Sequence, residues 1–261
     1  MSFLSEILGS TRARIARSKR EASAAALEER VASAPAPLDL RAALAGEEPS
    51  VIAEIKRATP SRGPLDLDLD AARLAASYEA GGAAAISVLT EPDFFKGSLD
   101  DLRAARSTSV PLLCKDFILD RVQLLEARAA GADAVLLIVR ILGGELAPLI
   151  EAARALGMTP LVEVFHEEEV QSALGAGADV IGINHRDLET FEVDTRRTAK
   201  LAPLLPSSVS VVALSGVSTR QEVEELAAAG AHAVLVGESL VTAEDPIAKL
   251  RELRGLPVRD A

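Results

Sequence analysis

Residues 130–139 read Ala130-Gly131-Ala132-Asp133-Ala134-Val135-Leu136-Leu137-Ile138-Val139, a glycine turn followed by an uninterrupted aliphatic run. A run of that kind is buried on both faces, as a strand in a parallel sheet is. The glycine suits a helix C-cap that needs positive φ before a tight return into the strand. The same phrase recurs as Ala80-Gly81-Gly82-Ala83, Ala176-Gly177-Ala178-Asp179 and Ala229-Gly230-Ala231-His232. Its spacing is about fifty residues, or two strand–helix units each time.

Extending outward, aliphatic strand-like runs fall at 51–55, 84–89, 111–114, 134–139, 161–164, 180–183, 209–214 and 233–236. Helical patterns lie between and after them at 70–80, 99–105, 121–130, 145–156, 167–176, 194–201, 219–229 and 246–253. Strict alternation implies parallel strands with right-handed crossovers, and eight units predict a closed (β/α)8 TIM barrel, an α/β fold. A doubly wound open sheet is the alternative, but nothing in it calls for eight equal units. Before the first strand, an amphipathic helix is expected from Phe3 to about Arg30, stopped by Ala34-Pro35-Ala36-Pro37. A short helix then covers 39–44. The expected organisation is one domain over 1–261, with 1–48 a helical extension and 49–261 the barrel.

Bulk properties narrow the function. With 28 basic and 39 acidic residues the net charge is −11, which argues against a nucleic-acid binder. The basic cluster Arg12, Arg14, Arg17, Lys19 and Arg20 reads as a solvated helix face. One cysteine, Cys114, rules out an intrachain disulfide and fits a reducing compartment. No apolar run reaches about 18 residues and no signal-like segment opens the sequence, so a cytoplasmic, non-membrane protein is expected. A monomer is the expected state.

In barrels of this kind functional groups gather at the C-terminal ends of the strands. The first strand carries Glu54 and Lys56 two residues apart, on one face, and runs on to Thr59. Alone, such a pair reads as a buried ion pair fixing register. The third strand adds Lys115, Asp116 and Phe117, the fifth Glu163, and the sixth Asn184, His185, Arg186 and Asp187. Thr90, Glu91, Phe94 and Phe95 follow the second. Two lysines and two carboxylates at one rim favour a site over a register pair. After the last two strands come Ser215-Gly216 and Gly237-Glu238-Ser239, whose backbone N–H groups can cradle a phosphate. His166, His185 and His232 lie on separate units without ligand spacing to Cys114, so no metal site is expected. Cys114 faces away from Lys115 and reads as packing. No dinucleotide or P-loop glycine pattern occurs.

V-I-A-E-I-K-R-A-T-P-S-R-G (51–63), S-V-L-T-E-P-D-F-F-K-G-S (87–98) and P-L-L-C-K-D-F-I-L-D (111–120) stand in sequence order. V-L-L-I-V-R-I-L (135–142), L-V-E-V (161–164) and I-G-I-N-H-R-D-L-E-T-F-E-V-D (181–194) follow, then L-S-G-V (214–217) and V-L-V-G-E-S-L (234–240). In this series the sequence resembles the indole-3-glycerol phosphate synthases, (β/α)8 barrels of tryptophan biosynthesis. The resemblance implies a carboxy-lyase acting on 1-(2-carboxyphenylamino)-1-deoxyribulose 5-phosphate. That small phosphorylated substrate closes a ring, then loses CO2 and water to give indole-3-glycerol phosphate. No cofactor or metal is implied.

By the same resemblance Lys115 is placed to be the general acid on the ketone oxygen and Glu163 the base for a later proton removal, while the sequence does not decide which lysine serves which step. Lys56 holds the substrate carboxylate or helps expel hydroxyl, Glu54 orients a lysine, and Asn184 meets substrate hydroxyls. Thr59, Phe95, Phe117, Leu136 and Arg186 complete the substrate contacts. Ser215, Gly216, Gly237 and Glu238, the last through its N–H, hold phosphate. Two positions depart from the pattern. Thr59 stands where serine is common and keeps the hydroxyl. Leu214 stands where the pattern has a glutamate before Ser-Gly, which takes one polar group from the pocket. Competing readings are a sugar-phosphate isomerase on the same fold, which needs no lysine pair, and a non-catalytic phosphate-binding paralogue, favoured only by Leu214.

Overall fold

Period-2 alternation sorts the side chains of every strand between two cores. On β1 (Ser50–Ile55), Val51, Ala53 and Ile55 face the helices, while Ile52 enters the barrel interior and Glu54 follows it on the same side. The same division runs round β2 (Ala85–Leu89), β3 (Leu112–Lys115), β4 (Ala134–Ile138) and β5 (Thr159–Val164). It continues through β6 (Val180–Asn184), β7 (Ser210–Leu214) and β8 (Ala233–Val236). In this computed structural model, which describes residues 2–46 and 48–257, all eight strands are parallel. They close into one barrel, β1 pairing with both β2 and β8. Met1, Glu47 and 258–261 lie outside the described residues.

The interior is aliphatic, with Ile52, Leu113, Leu136, Leu161, Val212 and Leu235 in one cluster. Val and Ile on both strand faces suit a sheet covered by helices. The recurring glycine phrase does what its position demands. Gly82, Gly131, Gly177 and Gly230 have φ of +87°, +100°, +82° and +103°, each where a helix turns back into a strand. Asp133 in that phrase is buried and accepts from Leu112 N at 2.7 Å and Leu38 N at 2.9 Å, tying the N-terminal segment to the barrel base.

The N-terminal extension departs from the expected single helix. α1 (Phe3–Glu21) ends at an extended Ala22, and α2 (Ala24–Ala32) restarts with the Ser23 side chain capping Ala26 N. A serine side chain offers the backbone an alternative to continuing a helix, so it starts a new one here. α3 (Leu40–Ala43) plugs the N-terminal end of the barrel. Leu40 and Leu44 join the interior cluster, and Arg41 donates to Ser208 O at 2.6 Å. α1 runs over the opposite end. Its Arg14 forms a two-pronged bond to Asp116 at 2.7 and 2.6 Å, and Lys19 pairs with Asp120. The solvated-face reading therefore fails for Arg14, because the loop after β3 presents Asp116 to it. The helix expected at 194–201 is confined to Arg197–Leu201, because residues 186–193 form a small antiparallel turn bridging Arg186 and Val193. No helix among the described residues is long and apolar enough to cross a membrane.

Candidate active site

The inward alternation delivers Glu54, Lys115, Glu163 and Asn184 to the C-terminal ends of the strands, where they line a cavity of about 640 Å³. Every residue expected at the site from the sequence lines it: Glu54, Lys56, Thr59, Phe95, Lys115, Phe117 and Leu136 on one side. Glu163, Asn184, Arg186, Ser215, Gly216, Gly237 and Glu238 complete it.

Glu54 is the hub on the β1 side. Its Oε1 lies 2.9 Å from Lys56 Nζ and its Oε2 2.5 Å from Lys115 Nζ. Burial alone would push the Glu54 carboxyl up, but the charges and hydrogen bonds of the two ammoniums outweigh it and hold it down at about 2. The carboxylate is therefore ionised at any working pH and keeps both lysine heads in fixed places. Tyr78 OH donates to the Glu54 carbonyl at 3.2 Å and steadies the strand beneath.

Glu163 has the reverse environment. It is buried, and that burial raises its pKa against the smaller opposing effects of Asn184 Nδ2, which donates to Oε1 at 3.0 Å, and of the Lys115 charge. Asn184 is itself fixed, since its Oδ1 accepts from Ser215 Oγ and Arg186 N, each at 3.0 Å. A carboxyl displaced upward and one displaced downward, sharing one lysine, are what an acid–base site requires.

The apolar wall is formed by Phe95 and Phe117, with ring centroids 6.4 Å apart and planes tilted by 34°, and by Leu136. Opposite lie the turns after β7 and β8. Ser215 and Gly216 have φ of +71° and +81°, and the N–H groups of Gly216, Gly237 and Glu238 meet no acceptor among the described residues. Unpaired N–H groups of this kind, beside a cavity, can serve as a nest for an anion. Gly237 is glycine for a steric reason: an added Cβ would lie 2.5 Å from Glu54 Oε1. The Glu238 side chain turns away from this nest and pairs with Arg62, leaving only its N–H for a ligand.

Several rim residues serve the frame instead. Glu91 accepts from the N–H of Asp93, Phe94 and Phe95 at 3.0, 2.7 and 3.0 Å and shapes the loop that presents Phe95. Asp116 is spent on Arg14 and on Thr90. Arg186 lines the cavity while its guanidinium donates to Phe191 O at 3.1 Å. Cys114 is buried on the outward face of β3, its thiol pushed up to about 12 chiefly by burial, as packing requires. Leu214 points inward, in register with Asn184 and Leu235, and is fully buried against Gly182. Phe3, which the sequence pattern did not single out, reaches the cavity from α1. It stacks edge-on against Phe94 and Phe191 at 5.2 and 5.1 Å.

Residues 4–253 match the family model for indole-3-glycerol phosphate synthase. The chain belongs to the indole-3-glycerol phosphate synthase family. It is 52% identical to the indole-3-glycerol phosphate synthase of Parafrankia sp. over 94% of this chain and 92% of that protein. The Streptomyces griseus synthase is 50% identical over 97% and 95%. Among solved structures, a mutant tryptophan synthase alpha-subunit from Pyrococcus furiosus superposes with a TM-score of 0.62 at 19% identity. The match covers 80% of this chain and 99% of that one and shows the barrel fold alone. Membership of the synthase family makes the chain a carboxy-lyase of tryptophan biosynthesis.

Proposed function

We infer that the cavity performs ring closure, decarboxylation and dehydration of 1-(2-carboxyphenylamino)-1-deoxyribulose 5-phosphate, with its residues in the following roles. The phosphate sits in the nest of Gly216, Gly237 and Glu238 N–H groups, with Ser215 beside it. The anthranilate ring lies against Phe95, Phe117 and Leu136. Between these ends Lys115 donates a proton to the ketone oxygen as the aromatic carbon attacks, and the Glu54 carboxylate keeps its ammonium aimed. Lys56 supplies the second cation for the substrate's carboxylate side. After CO2 has left, Glu163 removes the proton whose loss, with that of hydroxyl, completes the indole. Asn184 and the hydroxyl of Thr59 meet the sugar hydroxyls, and Arg186 borders them.

The observation that carries this reading is the three-group chain Lys56–Glu54–Lys115 facing a second carboxyl of opposite pKa displacement. An isomerase would need only one acid–base couple. The net charge of −11 gives the reaction no call on nucleic acid, and a monomeric, cytoplasmic enzyme is proposed. The test is the appearance of indole absorbance from the carboxyphenylamino substrate. Catalytic product formation supports the reading; tight substrate binding without product at high enzyme concentration would overturn it.

A further inference from the structure

We propose that His185 is a positioning residue for the anion nest: its ring holds the Ser215 carbonyl and so fixes the left-handed backbone on which the nest depends. The inference rests on the assignment of that nest to the substrate phosphate.

His185 is wholly inaccessible, sits directly after β6, and has no direct path to the cavity. A buried imidazole needs partners for both nitrogens, and here the partners identify the tautomer. Nδ1 lies 2.8 Å from Ser215 O, an atom that only accepts, so Nδ1 carries the proton. Nε2 lies 2.7 Å from Thr198 Oγ1 and accepts from that hydroxyl. Burial lowers the ring's pKa and keeps it neutral. Thr198, itself fully buried on the helix Arg197–Leu201, thus clamps the ring from behind.

The atom being held matters. Ser215 is one of three non-glycine residues at positive φ among those described, and Gly216 continues in the same region. A side-chain-bearing residue in that conformation persists only where its surroundings over-determine it. Three bonds do so here. His185 N donates to Leu214 O at 3.0 Å, the ring donates to Ser215 O, and Ser215 Oγ donates to Asn184 Oδ1. Only the ring contact fixes the plane of the Ser215–Gly216 peptide, and that plane aims the Gly216 N–H. The same peptide leads on to Val217 and the cavity wall, so its rotation would dismantle one side of the nest while leaving Lys115, Glu54 and Glu163 in place.

The experiment compares steady-state indole formation, and its competitive inhibition by inorganic phosphate, in wild type, His185→Asn, His185→Gln and Thr198→Val. Asparagine places an amide N–H near the position of Nδ1 and should keep KM and the phosphate inhibition constant within about twofold. Glutamine places its amide near the Nε2 position, loses the Ser215 contact, and should raise both constants about tenfold with kcat little changed. Thr198→Val leaves the ring in place but unclamped and should raise both by a smaller factor, which keeps the test open if a His185 variant fails to fold. Equal behaviour of the Asn and Gln variants, or a fall in kcat alone, overturns the role of His185. If inorganic phosphate does not inhibit the wild-type enzyme competitively, the phosphate assignment of the nest is what fails.

Discussion

Glu54 on β1 and Glu163 on β5 stand half-way round the barrel from each other, both inward-facing and both nearly inaccessible. Burial acts on them alike, yet their carboxyls are displaced in opposite directions. The difference is the company each keeps. Two ammoniums bind Glu54 directly, whereas Glu163 has one neutral amide and a more distant cation. Desolvation sets the default and specific charge decides the exception. One residue type therefore supplies a permanent anchor on one side and a proton acceptor on the other.

The comparison breaks most visibly if the lysine between the two carboxylates is removed. Lys115→Ala should lower kcat by about 10⁴-fold, the upper range for a general acid, measured by indole formation. Glu163→Gln should lower kcat by about 10³-fold and yet stabilise the fold. The sign follows from linkage. A carboxyl whose folded-state pKa is raised costs stability once the pH rises above its ordinary 4.5 and through the folded value, and glutamine removes that cost. Melting curves should show the variant above wild type near pH 7 and level with it near pH 4.

Glu54→Gln is the mirror case, with a loss of about 10²-fold in kcat and about 3 kcal/mol of stability as two ammoniums lose their counter-ion. Because the folded Glu54 lies at about 2 against an ordinary 4.5, its stabilisation is complete above the ordinary value and lost as pH falls from 4.5 through 2. Chemical denaturation across that window should show the wild-type advantage shrink. Asn184→Ala removes the hydrogen bond that restrains Glu163, so the acid limb of kcat/KM should move to higher pH, with about a tenfold loss at neutral pH. The smallest effect belongs to Leu214→Glu. Turnover should hold or rise up to about threefold, and a sharp fall would show that the apolar packing against Gly182 is required.

The Glu163–Asn184 side and the lysine pair were legible because strand periodicity and the barrel's polarity convert sequence position into direction. Glu54, Lys115 and Glu163 each sit at an inward position near a strand's end, so no tertiary knowledge is needed to bring them together. The aliphatic runs and the repeated glycine phrase carried the barrel in the same way. What stayed hidden depends on contacts distant in sequence. Phe3 reaches the cavity because Arg14 and Lys19 dock α1 on the loop after β3 and Ser10 docks it on the loop after β2. Glu91 and Asp116 look catalytic by position, but each is committed to loop or helix anchoring. The break at Ala22-Ser23 had a local signal, the serine cap, overridden in the reading by the continuing apolar period.

The most direct test of the opposed carboxyls is titration of the resting enzyme with carbon-13-labelled glutamate carboxyls. Glu54→Gln and Glu163→Gln samples assign the two signals by difference. Glu54 should titrate near 2 and Glu163 above its ordinary 4.5. Two signals moving together through the ordinary carboxylate range would contradict this.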